Sequence, residues 1–158
     1  MQRRSLTGAA LVVALAALVL ATTGVAFGSG GHGNRHRLVL YERQTSFQLV
    51  DVANDGPTPG DTAVSTSDLF RDAHFAHKVG TVSIACTVVT ADELECSATG
   101  HLRGGDVQVN GAVPTATMSA SLAITGGTGR FRGANGEIKT TPLNPDGSDS
   151  RDVLIFSR

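Results

Sequence analysis

The feature that most constrains this chain is the recurrence of short, β-branched, alternating segments separated by turn residues, without a long helical period between them. Residues 38–52 open with Leu38-Val-Leu-Tyr41, and then Phe47 and Leu49 alternate with Ser46 and Gln48. Thr81–Val89 is rich in β-branched residues, and Leu94–Thr99 follows it across the turn-like Thr90–Glu93. Asp106–Asn110, Ser119–Ile124, Ala134–Thr141 and Asp152–Ser157 extend the series. Dense turn chemistry lies between them at Asn54–Gly60, Gly104-Gly105, Gly126–Gly133 and Pro142–Ser150. Ser67–Ala76 alone has helical potential, with Ser67 as a cap. It is short, and a turn or irregular loop is expected there. Strands of this kind build a sandwich or a closed barrel, and periodicity leaves that choice open. Glycine, at 19 of 158 residues, suits a strongly bent sheet.

The first residues have the order of an export signal. Arg3 and Arg4 give a positive start, Ala9–Ala21 is apolar and uncharged, and Gly24 and Ala26 are small residues at the −3 and −1 positions of a cleavage site. Residues 1–26 are therefore expected to be a signal peptide, with a cut after Gly28 as the near alternative. The route, general secretory or twin-arginine, stays open. Residues 27–37 are Gly-rich and polar and are expected to form a flexible tail. Residues 38–158 then form one domain, large enough to bury a core. The protein is expected to be secreted, with no membrane association once the signal is removed.

Removing a leader that carries two arginines and no acid takes the formal charge from −1 to −3. The sequence shows no basic stripe, so nucleic-acid binding is not expected. His32 and His36 lie in the tail, and His74 and His77 lack acid or cysteine companions at ligand spacing, so no metal site is expected. No Gly-x-Ser-x-Gly elbow supports a hydrolase. Cys86 and Cys96 are the only cysteines. In an oxidising compartment an even count reads as a disulfide, and a hairpin folded about Ala91 sets residue 86 opposite residue 96. A reactive Cys86 thiol is the competing reading.

The most distinctive stretch is Thr125-Gly-Gly-Thr-Gly-Arg-Phe-Arg-Gly-Ala-Asn-Gly136. It lacks the Lys-Ser/Thr of a phosphate loop, misses dinucleotide spacing, and opens no helix. It resembles the strand-turn-strand motif of the allene oxide cyclase and dirigent superfamily. Gly60-Asp61 with Leu69-Phe70, Lys78–Cys86 and Gly104–Gly111 resemble other family segments in the same order. The resemblance implies an all-β, single eight-stranded antiparallel barrel of calycin-like type with an apolar lumen, assembled as a homotrimer. Gly126, Gly127, Gly129 and Gly133 would be its structural turn.

The family's cyclases place a Glu and, two residues later, an Asn in the pocket. The matching positions here are Glu42 and Gln44, and the longer Gln departs from the pattern. The family's pocket Cys matches Cys86. Dirigent proteins use a pocket acid beside a bound quinone methide, a role open to Glu42 or Asp51. The competing placement leaves Glu42 in solvent beside Arg43. The implied function is binding of a small apolar molecule, without a cofactor, and guidance of its cyclisation or stereoselective coupling. The alternative is a non-enzymatic secreted binding or surface protein that keeps only the scaffold, with Leu40, Phe47, Ile124 and Ile138 filling the lumen. An open lumen of roughly 300–1,000 Å³ is expected on the first reading.

Overall fold

The alternating segments pair, each with the next, until the last meets the first. The computed structural model describes residues 34–158, so the proposed signal peptide and most of the proposed tail lie outside the described residues. Eight strands form one closed antiparallel barrel: β1 His36–Val50, β2 Thr62–Phe70, β3 Lys78–Thr90, β4 Glu93–Leu102, β5 Gly105–Pro114, β6 Ala120–Gly127, β7 Asn135–Pro142 and β8 Asp149–Ser157. The closing seam runs from His36 opposite Phe156 to Arg43 opposite Asp149. Closure leaves no strand edge unpaired, which settles barrel over sandwich.

Two boundaries differ from the sequence reading. Strand β1 begins at His36, inside the expected tail, because the end of β8 supplies backbone partners for His36 and Arg37, and the His36 ring lies 5.4 Å from that of Phe156. Ser67–Phe70, expected in a turn or loop, continues β2. The alternation of Ala63, Ser65 and Ser67 ahead of Leu69 keeps one face of β2 turned inward, so pairing with β3 overrides the weak helical signal.

Inward side chains fill only one end of the barrel. Leu40, Leu69, Val107, Ile124, Leu154 and Phe156 are buried there, and Leu38, Leu102 and Phe131 pack against them. Toward the other end a register shift between Gln44 and Ser46 inserts Thr45 into β1. This bulge changes the phase of the strand, so Phe47 rather than Ser46 turns to the lumen. At that rim Asp51 accepts the backbone N–H groups of Asn54, Asp55 and Gly56, and Asp61 accepts those of Val52 and Thr58. These bonds fix the long β1–β2 loop.

Cys86 and Cys96 are directly opposed on β3 and β4 and form a disulfide. Closing so short a loop contributes about 2–3 kcal/mol of stability. The hairpin reading of the cysteines therefore holds.

Candidate functional site

The unfilled half of the barrel is a cavity of about 220 Å³, smaller than the sequence reading expected, because aliphatic side chains from every strand narrow it. Leu40, Phe47 and Ile138 line it without closing it, and Ile124 packs into the core instead. The expectation of a lumen blocked by these four residues is therefore corrected. Phe47, 62% exposed, stands at the mouth with Met118 and Gly147, and Leu69, Val107 and Leu154 lie at the floor. The Cys86–Cys96 disulfide forms part of the wall, so Cys86 lines the lumen but offers no thiol.

Polarity within this apolar space is concentrated along the closing seam. Glu42 and Gln44 point inward from β1, Ser67 from β2, Thr140 from β7, and Ser150 and Asp152 from β8. Register explains the grouping. Glu42 is opposite Ser150, and Leu40 is opposite Asp152, so the two carboxyls are diagonal neighbours on one face. The solvent-facing placement of Glu42 is ruled out. Its neighbours Tyr41 and Arg43 are the residues that face outward, Tyr41 edge-on to Phe75 and Arg43 over the Phe75 ring and paired with Asp149.

Burial, and then the adjacent Asp152 carboxylate, push Glu42 from its ordinary value up to about 7. Burial also raises Asp152, against the hydrogen bonds it accepts from Thr140, Ser150 and Glu42. Ser150 Oγ donates to Asp152 Oδ1 at 3.1 Å. Both acids are therefore raised, each by burial first, and their titrations are linked through their contact. Ser67 Oγ is fully buried beside them. It partly counters the rise at Glu42, yet it makes no hydrogen bond of proper geometry within the chain.

The sequence reading selected Glu42 and Gln44 and missed Asp152, Ser67 and Ser150. The signal was present. Asp152 directly precedes the apolar run Val153–Phe156 of the closing strand, and a strand-phase count from Leu154 and Phe156 turns it inward. Asp51, the alternative acid, belongs to the rim loop and does not reach the lumen. His77 does have an acid companion, since Nδ1 lies 3.0 Å from Asp72 Oδ2 in the β2–β3 loop. Within the glycine motif, Gly126 has ordinary space around it. A Cβ at Gly127 would come within 2.7 Å of Phe131, and one at Gly129 would overlap the Gly104 carbonyl oxygen.

The architecture is thus a closed antiparallel β-barrel with an apolar lumen, one open end and a small acid cluster inside. The sequence profile described as "Allene oxide cyclase barrel like domain" matches residues 41–155, and the chain belongs to that family. Its fold is similar to that of a pyocyanin demethylase (TM-score 0.67, 21% identity, covering 76% of this chain and 99% of that one). It is also similar to the pterocarpan synthase dirigent protein GePTS1 (TM-score 0.66, 17% identity, 78% and 85%). A third similar structure is the Diels-Alderase AbmU from Streptomyces koyangensis (TM-score 0.62, 17% identity, 82% and 70%). At these identities the likeness is one of fold. No protein of curated function matches the sequence.

Proposed function

We propose that this chain is an exported barrel that encloses a small apolar molecule and guides its cyclisation or stereoselective coupling, with Glu42 as proton donor and acceptor. The observation that carries the reading is the carboxyl pair of Glu42 and Asp152, the main ionisable groups of a narrow apolar lumen. A group titrating near 7 gives and takes a proton at neutral pH, which an ordinary glutamate does poorly. The narrow wall holds a flexible guest in one reactive conformation, which lowers the entropic part of the barrier. The buried Ser67 hydroxyl beside Glu42, which lacks a hydrogen bond of good geometry, supports a guest that presents one oxygen at the acid pair, since buried polar atoms are normally satisfied. The cyclase, dirigent and Diels-Alderase barrels of similar fold are consistent with such use.

Two experiments test this proposal. Native mass spectrometry of protein recovered from culture medium is expected to show an N-terminus at Phe27, a mass two hydrogens below the dithiol form, the homotrimer implied by the family, and a retained apolar guest. An intact leader or free thiols would overturn export. With the guest so identified, Glu42→Gln is expected to lower turnover by about 10²–10⁴-fold while Kd stays within about threefold. Equal turnover by both proteins removes Glu42 from the chemistry.

A further inference from the structure

An even number of strands sends alternate connections to opposite ends of the barrel, and the charges follow. The lumen-mouth connections 51–61, 91–92, 115–119 and 143–148 hold Asp51, Asp55, Asp61, Asp92 and Asp146, and no lysine or arginine. The opposite end carries Arg71, Arg103, Arg130 and Arg132 in its connections, with Arg37 and Arg158 at the outer ends of the seam strands. A chain of formal charge −1 is thus folded into an acidic mouth and a basic base. No linear reading finds this, because the arginines come from three separate connections and from both ends of the described chain.

The basic end also has a shape. A cleft of about 310 Å³ is floored by Leu38, Val79, Leu102, Phe131 and Phe156 and rimmed by Arg37, Arg71, Arg103, Arg130 and Arg158. These five arginines are exposed, and among the described residues none of them forms a salt bridge. The acids of this end are engaged elsewhere, Asp72 with His77 and Asp106 with His101. Arg158 donates instead to the Arg130 carbonyl oxygen, which fixes one guanidinium at the rim. Leu40 and Leu102 line both this cleft and the lumen, so aliphatic side chains separate two distinct spaces.

We propose that this closed end is a second binding site, for a small amphipathic anion: one carboxylate, phosphate or sulfate head on a short apolar chain or ring. Guanidinium groups present paired N–H donors that fit such oxyanions, and several like charges around one cleft attract an anion in common. The apolar floor beneath them favours a ligand with a tail over a bare ion. The concave shape favours a single molecule over a flat membrane. Nothing in this site depends on the lumen chemistry.

The test is an amide NMR and calorimetric titration of the full chain with decyl phosphate below its micelle concentration. Decanol, inorganic phosphate and phosphatidylglycerol vesicles are the comparison ligands. Decyl phosphate is expected to shift the amides of Gly104, Arg130 and Phe131, to bind at least tenfold more tightly than decanol or inorganic phosphate, and to weaken with added salt. The exposed double variant Arg71→Gln, Arg130→Gln is expected to lose at least tenfold in affinity while its unperturbed spectrum reports an intact barrel. Should that variant prove misfolded, Arg103→Gln alone is expected to lose severalfold. Equal binding of decanol, shifts confined to Glu42 and the lumen, or undiminished binding by the folded variants would overturn the site. Capture by vesicles without binding of monomeric decyl phosphate would also overturn it, in favour of a membrane surface.

Discussion

Gly129→Ala is expected to destabilise the barrel by about 3 kcal/mol or more, whereas Gly126→Ala changes stability by less than about 1 kcal/mol. Gly129 has φ 53°, a left-handed conformation that alanine adopts at a cost of roughly 1 kcal/mol. The larger penalty is steric. Its missing Cβ would overlap the backbone oxygen of Gly104, in the turn between β4 and β5. Two connections meet backbone to backbone there, since Arg130 N–H donates to Gly104 O at 2.8 Å and Thr128 N–H to Asp106 O at 2.9 Å. Neither side can retreat without breaking these bonds. Gly126 touches only the far end of the Gln108 side chain, which can move. Urea unfolding of the two variants measures the contrast. Equal, small effects would mean that the glycine motif does not serve the β4–β5 contact.

The second large effect is on stability against pH. Glu42 titrates higher in the folded protein, near 7, than in the unfolded chain, near 4.5. The folded state therefore binds the proton more tightly, and its advantage is complete below the unfolded value and lost as pH rises through 7. Asp152 is raised as well and acts with the same sign. The wild-type protein is expected to lose up to about 3 kcal/mol between pH 5 and pH 8 through Glu42. Below pH 4 the sign reverses, because backbone hydrogen bonds hold Asp61 and Asp146 below their ordinary values and these carboxylates lose that advantage on protonation. Glu42→Gln removes Glu42's share of that slope and leaves that of Asp152, so the variant is expected to show a shallower profile and to be more stable than the wild type at pH 8. Denaturation across that range checks it. A wild-type profile flat from pH 5 to pH 8 would mean that Glu42 is solvated like a surface acid.

The fold was largely legible in the sequence because strand phase and turn chemistry are local properties. Phe47 and Leu49 against Ser46 and Gln48, Cys86 opposite Cys96, and the glycine turn after Ile124 are each set by residues near in the chain. Ser67 was misread because four residues carry a cap signal and a strand equally well, and only pairing with β3 decides between them. The site was half legible for a related reason. Glu42 was reached through the family resemblance, which matches it to the cyclases' pocket Glu. Its partner Asp152 is more than a hundred residues away, and they meet only because β8 closes on β1 with Glu42 opposite Ser150. The arginine rim was illegible for the same cause, since its members come together only when the connections share one end.

The most direct test follows the carboxyl carbon of Glu42 by NMR as pH is varied. A midpoint near 7 is expected in the wild-type protein, and a clearly lower one in Asp152→Asn, where burial still acts but the neighbouring charge is gone. A midpoint near 4.5, unmoved by Asp152→Asn, would show that the two acids do not share a dry lumen, and the proton chemistry assigned to it would be wrong.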